Sequence, residues 1–389
     1  MLWLRRALAV GAVFLIGLST MWGAVEFTGI NLNGAEYGET QIPGIYGVDY
    51  IYPSFSEVNH FLEKGMNTFR VPFLWERIQP VKSGPLDAAE LERLDIFVDY
   101  ATGSGAHVIL DPHNFAAYYG EVIGAPGGSV TADDFASLWF QLATHYADND
   151  RVIFGLMNEP VGFGDSLRPG GTTEAWLVSA NTAIAAIRDA GASNLILVPG
   201  NGYTGAWSWL DDFYGTPNGE VMLGVVDPLN NFAYEVHQYM DADSSGRSTE
   251  VVSPTIGAER LADFTLWLRE NGARGFLGEF AASGDPLPLT ALDIMLDHID
   301  ANDDVWIGWT YWFASAWNTG DPFNIEPVGG ADRPQLAVLQ EHLAAVPEPG
   351  TVCLLAVGLG LAAFLGRRRA QAVACQGGGA QRGEQERNH

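Results

Sequence analysis

Two glutamates close apolar, strand-like runs: Glu159 ends the stretch VIFGLMNE that begins at Val152, and Glu279 lies in GFLGEF from Gly275 to Phe280. A carboxylate at the last position of a buried strand has lost solvation and requires either a partner or a task. Two of them together can do what one cannot. One attacks a carbon that is losing its leaving group, while the other supplies a proton and later recovers it. Taken singly, each is as readily read as a salt-bridge partner or as a cap of the next helix. They are 120 residues apart, so only a fold that gathers strand ends brings them together. A closed barrel of parallel strands does this, because every strand delivers its C-terminal end to one rim.

The chain between these points has the required alternation. Strand-like segments occur at 26–32, 67–73, 107–111, 152–159, 194–200, 232–237, 275–280 and 305–312, each followed by a stretch able to form a helix. The clear helices are expected at 54–64, 86–102, 132–146, 173–189, 259–271, 289–299 and 333–343, with a Trp-rich one at 207–213. Thr131 and Thr172 stand where helix N-caps belong, and Gly65, Gly191 and Gly272 where helices stop. Eight such units within residues 25–345 predict a single-domain α/β fold, a (β/α)8 TIM barrel. A doubly wound sheet is the competitor, but the opening GINLNG from Gly29 to Gly34 places polar side chains where a nucleotide fold requires bare backbone.

On a barrel, the strand ends would present Arg70, His113, Asn158 with Glu159, His237 with Tyr239, Glu279 and Trp312 at one rim. Arg70 alone reads as a salt bridge and either histidine alone as a satisfied core residue; six strands placing such groups at one end is harder to explain as structure. The histidines form no compact ligand motif, so no metal and no other cofactor is expected, and no G-x-S-x-G elbow is present.

Both chain ends stand apart from this domain. Residues 1–24, with Arg5 and Arg6 before an apolar run, read as a secretory signal peptide cleaved near Ala24. Residues 346–369 carry Pro347-Glu348-Pro349, an apolar run from Thr351 to Leu365, and Arg367 to Arg369; a polar tail, 370–389, follows. This segment resembles the PEP-CTERM sorting tag of Gram-negative bacteria, which implies an exosortase-type processing partner and an exported, cell-surface or secreted location. A plain transmembrane anchor is the alternative, although the apolar run is short against the roughly 20 residues that span an average bilayer. The only cysteines, Cys353 and Cys375, lie in this region, so the domain has no disulfide and depends on its core. Removing the seven basic and three acidic residues of the two ends from totals of 20 and 47 leaves 13 and 44, a net charge of −31. That field repels nucleic acid and anionic polymers such as pectin, and favours neutral or cationic substrates.

The ordered set of rim residues resembles glycoside hydrolase family five, and most closely its retaining endo-β-1,4-glucanase (cellulase) branch. The resemblance spans residues 26–343. It implies Glu279 as nucleophile, supported by Arg70 and Tyr239, and Glu159 as acid/base, followed directly by Pro160. It further implies supporting roles for His113, Asn158 and His237, and a sugar platform at Trp312. Sugar faces stack on flat side chains, so Trp75 and Trp317 are further candidates to bind substrate, together with Asn31 and Glu36 in the opening segment. Trp139, Trp176 and Trp267 lie in expected helices and read as packing; Trp207 and Trp209 could be either. The segments 114–130 and 313–332 are expected to shape the cleft walls. The implied activity is hydrolysis of β-glucan polysaccharide by a monomer, with a β-mannanase, xyloglucanase or β-1,3-glucanase on the same barrel as alternatives. A non-catalytic glycan-binding surface protein is the alternative of another class.

Overall fold

The computed structural model describes residues 25–161 and 172–344; the signal segment, the sorting segment and the polar tail lie outside the described residues. Eight parallel strands close into a barrel, each flanked by its predecessor and successor, with strand one meeting strand eight. In chain order they are Phe27–Leu32, Thr68–Phe73, His107–Pro112, Val152–Gly155, Ile196–Pro199, Phe232–His237, Gly275–Glu279 and Trp306–Ala314. The expected (β/α)8 architecture is therefore the observed one.

Helices at Phe55–Glu63, Ala88–Gly103, Ala132–Tyr146, Thr173–Asp189, Ile256–Glu270, Pro286–Asp300 and Pro334–Glu341 surround the strands. Their starts are set by local chemistry. Ser54 with Glu57 and Thr131 with Asp134 form reciprocal capping boxes, while Asp87 and Thr172 each accept from the first helical turn. Each such cap is worth about 1 kcal/mol.

Two expectations fail in instructive ways. The helix expected at 207–213 is absent; a 3-10 turn at Ala206–Ser208 and a short helix at Asn218–Val221 take its place. Gly215, at a φ of 110°, and Pro217 interrupt any longer helix, and Trp209 turns fully inward against Phe264 and Trp267. Strand four stops at Gly155, four residues before Glu159. The chain then stays close to its neighbours, with Leu156 N–H bonding Leu197 C=O and Asn158 N–H bonding Pro112 C=O, until Glu159 turns it at a φ of 39°.

Strand periodicity stacks the barrel interior in layers. The lowest is an apolar plug of Phe27, Ile109, Ile153, Leu197, Ala233 and Phe276. Two residues further along strands three and six come the buried carboxylates Asp111 and Glu235, and two further again His113 and His237. A second, larger apolar cluster, with Phe61, Leu94, Phe135, Trp139, Ile184 and Leu292 among its members, fills the space between barrel and helices. Together these clusters make a rigid frame for charged groups at the rim.

Candidate active site

Arg70 is the hub of the charged layer. It faces into the barrel on strand two, opposite Asn31 on strand one, and is 0 % exposed. Its Nη1 donates to Asn31 Oδ1 at 2.9 Å and Glu279 Oε1 at 3.0 Å and lies 3.0 Å from Asp111 Oδ2. Nη2 donates to Asn158 Oδ1 at 2.9 Å, and Nε lies 3.1 Å from Glu235 Oε1. Burial works against the guanidinium, but Asp111, Glu235, Glu279 and Glu159 more than offset it and hold the charge. The room for this arrangement comes partly from Gly278: a Cβ there would fall 2.3 Å from Glu235 Oε1 and 2.9 Å from His237 Nε2.

Around Glu279 the groups are donors. Besides Arg70, the Tyr239 hydroxyl donates to Oε2 at 2.8 Å, and the carboxylate side chain is only 4 % exposed. Burial, with the charges of Glu279 and Glu159, holds the Tyr239 phenol well above its ordinary range, so it keeps the proton it donates. Glu159 is placed differently. Its side chain is 17 % exposed and faces the His237 ring, whose Nδ1 is 2.8 Å from Oε1. Burial raises the Glu159 carboxyl and the nearby Glu279 charge raises it further, against the opposing effect of His237.

His237 faces carboxylates at both nitrogens, with Glu235 Oε1 3.4 Å from Nε2. Burial disfavours the imidazolium, yet Glu279, Glu159 and Glu235 push it up to about 10. The carboxylate oxygens of Glu159 and Glu279 and a ring nitrogen of His237 all lie within 4.8 Å of one another. Such a trio could surround a cation, but Arg70, Tyr239 and the His237 imidazolium already supply its counter-charge and donors.

Asn158 and His113 form a second chain. Because Arg70 holds the Asn158 oxygen, the Asn158 amide donates to His113 Nε2 at 3.1 Å, and His113 Nδ1–H donates to Asp111 at 2.8 Å. Burial works against the His113 imidazolium, but Asp111 beside Nδ1, with Glu279, raises the ring above its ordinary range. Its ring lies parallel to the half-buried Trp312, 5.6 Å between centroids at 16°, and the Trp312–Phe313 peptide is cis.

A cavity of about 400 Å3 opens beside these rings. Its walls come from the segments after strands one, two, three and eight, and include Glu36, Leu74, His113, Phe115, Trp312 and Asp321. Thus Glu36 lines the cleft, as expected of a substrate-binding residue, and burial raises its carboxyl to about 7. The segment 313–332 contributes Phe313, Asn318 and Asp321, whereas 114–130 contributes only Phe115 and otherwise folds as a hairpin pairing Ala117–Tyr118 with Glu121–Val122.

Two expected substrate contacts need correction. Trp75 is 0 % exposed; its indole N–H bonds Gln79 and its ring packs on Tyr118 and Phe135, so no sugar can reach it. Asn31 is equally buried, its amide donating to Gly278, Thr310 and Tyr311 carbonyls, and it acts as a brace between strands and Arg70. Trp317 is 43 % exposed next to Asn318 but does not line the cavity. Trp139, Trp176, Trp209 and Trp267 are packing residues, while Trp207 is half-buried, with its backbone N–H on Gln238 Oε1. Asp111 and Glu235 were not anticipated. The signal was there, because each precedes a rim histidine by two residues and so shares its inward face.

Comparison with known proteins agrees with this geometry. The family model Cellulase (glycosyl hydrolase family 5) matches residues 27–315, and the PEP-CTERM protein-sorting motif matches 345–369. The chain is 40 % identical over 306 residues to Endo-beta-1,4-glucanase B of Emericella nidulans, covering 78 % of this chain and 87 % of that one. Among solved structures, XacCel5A in complex with cellopentaose is 45 % identical, with a TM-score of 0.78 over 82 % of this chain and 99 % of its own. The endo-beta-1,4-glucanase Xac0029 from Xanthomonas axonopodis pv. citri is 44 % identical, with the same TM-score and coverage. On fold, on the match across its barrel and on these identities, the chain belongs to glycosyl hydrolase family 5, the cellulase family.

Proposed function

We propose that this chain is a retaining endo-β-1,4-glucanase that cuts internal bonds of glucan chains by double displacement. The observation that carries the reading is the approach of Glu159 and Glu279, whose carboxylate oxygens are within 4.8 Å. Retaining glycosidases hold their carboxyl groups about 5 to 5.5 Å apart, and inverting ones about 6.5 to 9.5 Å, to leave room for a water. The relatives' glucanase names and the cellopentaose bound to XacCel5A support the glucan as substrate.

In this reading Glu279 is the nucleophile. Arg70 and Tyr239 hold its oxygens and keep it aimed at the anomeric carbon. Glu159 protonates the departing oxygen. Its raised affinity for a proton suits that step, and the His237 imidazolium then stabilises the carboxylate left behind. Water next attacks the glycosyl-enzyme with Glu159 as base, and Glu279 is released. Asn158, fixed by Arg70 and His113, is placed for the sugar 2-hydroxyl, a contact that strengthens in the oxocarbenium-like transition state. Trp312 supports the ring being cleaved. All these groups come from one chain, so a monomer suffices.

The match to a PEP-CTERM motif supports export through a sorting signal. We place the mature enzyme at the surface of, or released from, a Gram-negative bacterium after processing by an exosortase-type enzyme. Intact mass of protein from the native host should then lack Arg367 to Arg369, whereas an unprocessed anchor would retain them. For the activity, reducing-end assays combined with viscometry on carboxymethyl cellulose and mixed-linkage β-glucan are expected to show a fall in viscosity well ahead of sugar release. Activity on mannan with none on either glucan would overturn the substrate assignment.

A further inference from the structure

Glu235 is the carboxylate on strand six, two residues before His237, and at 1 % exposure it lies beneath the reach of any sugar. Its Oε1 faces two cations at once, Arg70 Nε at 3.1 Å and His237 Nε2 at 3.4 Å. Its Oε2 is buried with no hydrogen-bond partner among the described residues. A buried acceptor left unpaired is a cost to folding and calls for a reason. Arg70 does not supply it, because Asp111 and Glu279 already face its Nη1. The contact with His237 is instead given room: a Cβ at Gly278 on strand seven would intrude on both Glu235 Oε1 and His237 Nε2.

The charged groups around the His237 ring divide between its two nitrogens. Glu159, from the segment after strand four, and Glu279, on strand seven, lie 2.8 and 3.5 Å from Nδ1, while Glu235 faces Nε2. Arg70, from strand two, meets the same Glu235 oxygen, and His113, from strand three, faces Asp111 and Asn158 instead. The segment after strand five brings the neutral Thr204, whose C=O accepts from His237 N–H. A ring that donates from Nε2 to Glu235 and from Nδ1 to Glu159 keeps both of its protons. The donor at Nδ1 matters most while Glu159 is ionised, after it has protonated the departing oxygen and before it takes a proton from water.

We propose that Glu235 is a positioning residue for the acid/base: by accepting from His237 Nε2–H it fixes the ring with Nδ1–H aimed at Glu159, so that the ionised Glu159 always meets a donor. This rests on the endoglucanase reading and names the group that holds its proton cycle in place. Protons balance with no net change at His237. Glu159 gives its proton to the departing oxygen, the ring keeps both of its own, and Glu159 regains a proton from the attacking water. Without the Glu235 charge the ring would release a proton more readily, and Nδ1 would turn from donor to acceptor for part of the cycle.

The test reads the ring itself, by nitrogen-15 NMR of the whole enzyme labelled at histidine, with the His237 signal assigned through His237→Asn. In the unmutated enzyme His237 should remain an imidazolium at about pH 8, where an ordinary imidazole is neutral. Glu235→Gln keeps the side-chain size and removes the charge, and should lower the ratio of imidazolium to imidazole about 10- to 100-fold. Glu235→Asp, whose shorter carboxylate draws back from Nε2, should lower it less. Asp111→Asn takes another buried carboxylate from Arg70 and should leave His237 charged. In activity, Glu235→Gln should move the alkaline limb of kcat/KM on cellotetraose to higher pH. A neutral His237 at about pH 8 in the unmutated enzyme, an unchanged ring in Glu235→Gln, or an equal loss of charge in Asp111→Asn would overturn the proposal, since Glu235 would then serve Arg70 alone. Should Glu235→Gln not fold, the first of these results, or an unchanged ring in Glu235→Asp, still overturns it. If cellotetraose were not cleaved, the endoglucanase reading would fail, and the same titrations would still decide this inference.

Discussion

Glu279 and Glu159 share a residue type and a rim, yet their surroundings are opposite in kind. Glu279 is nearly sealed and receives an N–H from Arg70 and an O–H from Tyr239. Glu159 is four times as exposed, sits on a backbone turn at a φ of 39°, and, among the described residues, hydrogen-bonds the His237 imidazole. Donors on both oxygens favour an ionised carboxylate with a fixed aim. Burial with few donors favours a carboxyl that can hold a proton and let it go. Side-chain chemistry is thus assigned by the donors that neighbouring strands and loops bring to each carboxyl, and the left-handed conformation at Glu159 is backbone strain of about 1 to 3 kcal/mol retained where it serves the site.

The contrast can be broken at its strongest point first. Glu279→Ala should lower kcat by about 10⁴-fold or more, for good and poor leaving groups alike, because no other group can form the covalent intermediate. Glu159→Ala should cost about 10² to 10⁴-fold on cellulosic substrates. It should cost far less in the first step with a dinitrophenyl glycoside, whose leaving group needs no proton. Equal losses on both substrate classes would erase the distinction. Beneath both, Arg70→Leu should destabilise the fold by about 3 to 5 kcal/mol in denaturant titrations, since it strands Asp111, Glu235 and Glu279 without their cation.

Gentler changes sharpen the comparison through pH. Tyr239→Phe removes the hydroxyl that donates to Glu279 Oε2 and aims it at the anomeric carbon. A loss of about 10- to 100-fold in kcat should accompany it. His237→Asn removes the cation that favours ionised Glu159, so the alkaline limb should move to higher pH instead. Complete pH profiles check this: an alkaline limb that stays in place in His237→Asn, or that moves as far in Tyr239→Phe, would mean that the two environments are not separate.

Much of this was legible in the chain. The eight-fold alternation and the capping residues at Thr131 and Thr172 are local signals, and the structure reproduces them to within a few residues. Glu159, Glu279 and Arg70 were found because charge inside an apolar run is conspicuous. Asp111 and Glu235 were less so, since one layer of depth is visible only when strand periodicity is followed inward from the rim. Trp75 misled because an aromatic after strand two looks the same whether it faces the cleft or the helices. Its orientation is decided by Gln79, by Tyr118 from the hairpin and by Phe135 from the helix Ala132–Tyr146. The absent helix at 207–213 has the same origin, a tryptophan drawn inward by partners more than fifty residues away.

The central claim is the division of labour between two identical residue types, and the configuration of azide-rescued products tests it most directly. With a dinitrophenyl β-cellobioside and added azide, Glu279→Ala should yield the α-glycosyl azide, formed by direct attack on the face the nucleophile has vacated. Glu159→Ala should yield the β-glycosyl azide, formed when azide intercepts the glycosyl-enzyme. Proton NMR of the anomeric signal reads each product. An exchange of the two configurations would exchange the roles of Glu159 and Glu279, and an α product from both variants would contradict a covalent intermediate on Glu279.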